Sequence, residues 1–124
     1  MISKQKEQNQ DILEQSISHL QFKGFENIKA DIPGYDTPKT FKSKRSGVEV
    51  TPDISATKNG KKYFFDISLK STKVDLLKSK WLLLDTFSRL KTNRFKIITT
   101  RGHLKFTRDL LNDIQLSQKE FIKI

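Results

Sequence analysis

The chain contains no cysteine, which removes disulfides, thiolate zinc sites and cysteine nucleophiles together. Histidine is almost as scarce. His19 and His103 are the only two, and their separation argues against a histidine-rich metal centre. Long apolar runs are missing too: Trp81 to Leu84 is a core-sized segment, far short of the roughly 20 residues of a membrane span. The opening MISKQKEQNQ is polar and lacks the apolar stretch of a secretory signal. The expectation is a soluble, intracellular, cytoplasmic protein with residues 1–8 frayed. Acidic residues are in deficit, 14 Asp and Glu against 24 Lys and Arg, for a formal charge of +10. Such an excess suits a polyanion, nucleic acid first and an acidic membrane surface second. With 35% hydrophobic residues, the 124-residue chain reads as a single domain, 1–124, with a core that needs no metal or disulfide staple.

The most informative stretch is Gly47 to Ser71. Asn59-Gly60 lies between two β-rich runs, and both residues tolerate the positive φ of a type I′ turn. If they form the loop, Lys58 faces Lys61. One face then pairs Ala56 with Tyr63, Ile54 with Phe65, Pro52 with Ile67 and Val50 with Leu69, an apolar set that belongs on a core. The other face pairs Ser55 with Phe64, Asp53 with Asp66, Thr51 with Ser68 and Glu49 with Lys70. Like charges directly opposite one another are destabilising. A divalent cation with oxygen ligands is the economical compensation, while a plain solvated sheet face is the alternative.

Around this hairpin, the spacing of Ile12, Leu13, Ile17 and Leu20, with Phe22 at its end, predicts a helix over Asn9–Lys23. Asn9 is its N-cap, and Gly24 is the left-handed residue that ends it. Phe25 to Ile32 reads as a strand with uneven alternation. Residues 33–46 read as a loop carrying Lys39, Lys42, Lys44 and Arg45. Thr72 to Asp75 resembles a capping box for a helix running to about Thr92. Its apolar stripe includes Val74, Leu77, Trp81 and Leu84, and Lys73, Lys78, Lys80, Arg89 and Lys91 decorate the remainder. Phe95 to Thr100 is a strand returning to the sheet, followed by Arg101, His103 and Lys105. Thr107 caps a last helix through about Ile114, and Ser117 to Ile124 fits either helix or strand. A mixed sheet flanked by helices is the packing this order implies, an α/β fold.

The αβββαβ order, with Pro52-Asp53 ending one strand and an acidic residue in the next, resembles the PD-(D/E)xK nuclease superfamily. Within it the plan is similar to small Holliday junction resolvase-like and phage endonucleases, over roughly Asn9 to Ile114. The resemblance implies a restriction-endonuclease-like core and a Mg²⁺-dependent DNA endonuclease, Mn²⁺ being a substitute. It makes Asp53 and Asp66 metal ligands, and puts Glu14 or Glu49 in the place of a further acidic ligand. The motif lysine falls at Ser68, which leaves Lys70 as its stand-in and Ser68 as a hydrogen-bonding neighbour of the ligand carboxylates. Lys39, Lys42, Lys44, Arg45, Arg101 and Lys105 are the DNA-binding candidates, and cutting a junction would need a homodimer. The missing lysine also motivates the alternative, a nuclease-like DNA-binding module that does not cleave. A third reading is an unrelated basic domain for RNA or a protein partner.

Overall fold

The computed structural model describes residues 9–124; the frayed start expected for residues 1–8 lies outside the described residues. Helix α1 spans Gln10–Phe22. Its first turn closes on the Asn9 carbonyl, which accepts the Ile12 amide at 3.1 Å, and Gly24 follows its end at φ +91°. Leu13, Ile17 and Leu20 are buried, whereas Phe22, at the end of the stripe, is exposed.

A five-stranded sheet has the order β1-β4-β5-β6-β7, built from β1 (Glu26–Ala30), β4 (Ile54–Lys58), β5 (Lys61–Ser68), β6 (Arg94–Thr99) and β7 (Phe121–Lys123). Strands β1, β4 and β5 run antiparallel, and β5, β6 and β7 run parallel. The Asn59-Gly60 turn holds φ of +52° and +76°. The β4–β5 register follows it as expected, with Lys58 opposite Lys61, Ala56 opposite Tyr63 and Ile54 opposite Phe65. In β1 a bulge between Glu26 and Lys29, with Asn27 at φ +51°, accounts for the uneven alternation. The undecided C-terminal stretch becomes edge strand β7.

Every residue of β5 from Phe64 to Ser68 is buried, which marks a strand covered on both faces. On one face Ile54, Phe65 and Ile67 pack against α1. On the other, Phe64, Phe95 and Ile97 pack against helices α2 (Val74–Leu90) and α3 (Leu104–Asp113), through Leu77, Trp81, Leu84, Leu110 and Leu111. Helix α2 is the crossover that lets β5 and β6 run parallel. Buried Asp85 on α2 pairs with Arg89 and with Lys119, and so holds the segment preceding β7 against the helix.

Four local expectations are corrected. The hairpin ladder stops at Ile54–Phe65. Beyond it Glu49–Val50 leaves the sheet as β3 and pairs with Phe41–Lys42, β2, as a separate two-stranded ribbon, so that part of the expected 33–46 loop is strand. Pro52 has no amide to continue the ladder, and Val50 packs with Phe41 and Phe64 on the α2 side, away from Leu69. The Thr72–Asp75 capping box does not form. Ser71 Oγ accepts the Lys73 amide at 3.0 Å, and the helix starts at Val74 behind Lys73. The last helix begins earlier than Thr107, at Leu104 after a 3₁₀ turn, Arg101–His103. Thr107 is buried in its second turn and donates to the His103 carbonyl at 2.8 Å.

Candidate active site

Asp53 and Asp66 do converge. Asp53 precedes β4, and its Oδ2 accepts the Ile67 amide of β5 at 2.8 Å. Reciprocally, Asp66 Oδ1 accepts the Asp53 amide at 3.2 Å. Each carboxylate therefore replaces a ladder bond beyond the last regular rung. Where a wet face was one of two readings, α2 lies over this face and both aspartates are completely buried.

The helix brings two donors to them. The Trp81 indole N–H donates to Asp66 Oδ2 at 2.8 Å. The Lys80 ammonium lies 2.8 Å from Asp66 Oδ1 and 3.6 Å from Asp53 Oδ1, with its side chain 14% exposed. Burial alone would pull the Lys80 pKa down. Attraction by Asp53 and Asp66, with the hydrogen bond to Asp66, outweighs it and holds the ammonium well above the ordinary lysine value. The lysine of the trio is thus Lys80, which the sequence reading placed on the solvated side of the helix. Its signal was present, because Leu77, Lys80 and Leu84 have the i, i+3, i+7 spacing of a single helix face. Trp81 is core, as expected, and is also a hydrogen-bond donor.

The other candidates lie elsewhere. Ser68 is buried, but its hydroxyl meets Thr107 Oγ1 at 2.7 Å, and Thr107 lies 3.1 Å from Thr99 Oγ1. That bond ties α3 to the sheet and is not made to a carboxylate of the trio. Lys70 is exposed beyond the end of β5, and its amide donates to His103 Nδ1 at 2.9 Å. Glu14 is exposed on α1, across the sheet from the trio, and accepts Gln10 Nε2 at 3.2 Å. Glu49 left with β3 and sits opposite Lys42. Neither glutamate joins the aspartates, and among the described residues no three His, Cys, Asp or Glu gather as a metal cluster.

The basic candidates fall into two groups. Lys39, Lys42, Lys44 and Arg45 line a groove that also includes Lys62 near the start of β5. Arg101 and Lys105 follow the far ends of the parallel strands, near Lys70 and His103. No protein-family model, curated protein or solved structure matches the chain.

The Lys70–His103 contact has a pH signature. Partial burial, then the neighbouring Lys70 charge, lowers the His103 pKa below the ordinary 6.5. A base with a lowered folded value contributes stability above its ordinary value, and that stability is lost as pH falls through the folded one. Protonated Nδ1 can no longer accept the Lys70 amide. The amide resonance of Lys70 should therefore shift with a midpoint below 6.5, read by ¹H–¹⁵N spectra across pH, and Lys70→Gln should move that midpoint up.

Proposed function

We propose that the protein is a metal-dependent DNA endonuclease of the PD-(D/E)xK type, with Asp53, Asp66 and Lys80 as its site. The observation that carries this reading is the approach of one lysine ammonium to two carboxylates, one just before β4 and one in β5, the residue set that the motif demands. The lysine absent at Ser68 is supplied from α2. The succession of α1, β1, β4, β5, α2 and β6, antiparallel and then parallel, is also what a restriction-endonuclease-like core requires.

The donor chemistry suits Mg²⁺, a hard cation that takes one or two carboxylates and completes its shell with water and substrate phosphate oxygens. Two carboxylates and one ammonium leave a net negative charge in a buried place, which favours a cation further. Bound there, Mg²⁺ would neutralise phosphate charge and acidify a water. Asp53 and Asp66 would hold it. Lys80 is the member of the trio in contact with solvent, so its ammonium must swing from Asp53 for a ligand to enter, and there it can pair with a phosphate oxygen.

A second reading rests on the burial of the aspartates, which already accept backbone and indole donors. In it the trio pins α2 to the sheet, and the protein binds DNA without cutting. The two readings separate in one experiment. Plasmid, linear and four-way-junction DNA are incubated with Mg²⁺ or Mn²⁺ and wild type or Asp53→Asn, with a parallel thermal scan for a Mg²⁺-dependent shift. Cleavage and a metal shift, both lost in a folded Asp53→Asn, are the expected results. Cleavage that persists in the variant, or a wild type that neither shifts nor cuts, overturns the nuclease site.

A further inference from the structure

The trio lies on a flank of α2 that continues into a different kind of surface. Lys80, Leu83, Phe87 and Leu90 follow one another at i, i+3, i+7 and i+10, so they share a face. Phe87 stands about 10 Å along the axis from Lys80 at 1.5 Å per residue. Leu83, Phe87 and Leu90 form one wall of a groove of about 870 Å³, with Phe41 and Phe64 among its other apolar residues. Phe41 stacks on Phe87 at 5.1 Å and meets Phe64 edge-on at 5.0 Å. The rim is cationic: Lys39, Lys42, Lys44, Arg45, Lys62 and Lys91 line the groove, and among the described residues no acidic one does. Lys39 lies over the Phe41 ring and Lys62 over Phe64, at 5.5 and 5.8 Å.

We infer that this groove is a binding channel for a single nucleic-acid strand, with unpaired bases against the Phe87–Leu90 wall and phosphates along the lysine rim. An apolar wall within a ring of cations is matched by a ligand that carries charge on one edge and flat π faces on the other. A DNA duplex presents mainly phosphates outward and would cover the apolar wall to no advantage. An unpaired strand satisfies both, since base stacking on aromatic side chains is tolerant of sequence and the cations track the backbone. As a deepening of the nuclease reading, on which this part alone rests, the channel makes the substrate a DNA with a single-stranded segment. A strand in the channel runs along α2 toward Lys80.

The test is fluorescence anisotropy in EDTA with a labelled oligo-dT 12-mer, a matched duplex, and poly-glutamate as an acidic-peptide competitor. Wild type should bind oligo-dT at least tenfold more tightly than duplex. Each lost phosphate contact on a single strand removes about 0.7 from the log–log salt slope, so Lys42→Gln/Lys44→Gln/Arg45→Gln should flatten it by about 2. Leu90 is 74% exposed, so Leu90→Glu leaves the fold intact and puts an acid against the bases; its affinity should fall at least tenfold. Phe87→Leu keeps bulk and removes the ring face, with an expected loss of about fivefold or more. Unchanged oligo-dT affinity in these variants, equal binding of duplex, or displacement by poly-glutamate at equal charge overturns the channel. Asp66→Asn separates the two proposals, because it should bind oligo-dT as wild type does while losing cleavage. A wild type that binds through the groove but never cuts supports the channel and overturns the nuclease site.

Discussion

Lys80→Met is expected to destabilise the fold by about 3–5 kcal/mol near neutral pH, the usual consequence of removing one partner from a buried charge network. Methionine preserves most of the volume, so the loss is electrostatic. It leaves the Asp53 and Asp66 carboxylates, both fully buried, without the ammonium that lies within 4 Å of each. Chemical denaturation of wild type and variant measures it directly. Asp53→Asn/Asp66→Asn/Lys80→Met removes all three charges together and should recover much of the loss, since neutral replacement of a whole buried network is often tolerated. If the triple variant were as unstable as Lys80→Met, packing rather than charge would be the cause. The wild type carries the matching pH dependence. Because the folded Lys80 pKa is raised, its stabilisation is fully present below the ordinary lysine value of about 10.4. It declines only as more alkaline conditions approach the folded value. Under the nuclease reading, cleavage by any folded Lys80→Met should fall by about 10²–10³-fold, the scale for removing one charge-stabilising donor.

Trp81 is the second position of large effect. It is fully buried in the core beneath α2 and is the sole tryptophan of the chain. Trp81→Ala should cost about 3–5 kcal/mol through lost contacts and the cavity left behind. Trp81→Phe isolates the polar share. It keeps an aromatic ring but removes the indole N–H from Asp66 Oδ2, so a cost of about 1–3 kcal/mol is expected for the orphaned acceptor. Circular dichroism is the appropriate probe, since the substitution removes the fluorophore. A neutral Trp81→Phe would mean that Asp66 does not depend on the indole.

The parts legible in the sequence were those set by local chemistry. Asn59-Gly60 admits one turn and therefore one register, and that register brought Asp53 across from Asp66. The broad apolar stripe of α2 likewise announced a helix buried on one side. The parts that escaped depend on segments distant in sequence. Lys80 finds its partners 14 and 27 residues earlier in the chain, and by itself it looks like any other lysine in a basic helix. The β2–β3 ribbon consists of two-residue strands, too short for any alternation to show. The cationic groove escaped as a groove because three separate stretches build it. Lys39 to Arg45 were visible as charge, but the apolar wall of Leu83, Phe87 and Leu90 belongs to α2.

The reciprocal bonds of Asp53 and Asp66 also act as a proofreading device for strand pairing. A slip of one residue in β5 would turn Asp66 to the opposite face, toward Leu13, Ile17 and Leu20 of α1. The buried cluster described there is apolar, and a carboxylate buried against hydrocarbon carries a penalty that a shifted ladder cannot offset. A sheet with this many interchangeable Phe and Ile side chains would accept several alignments on apolar grounds alone. The charged trio accepts one.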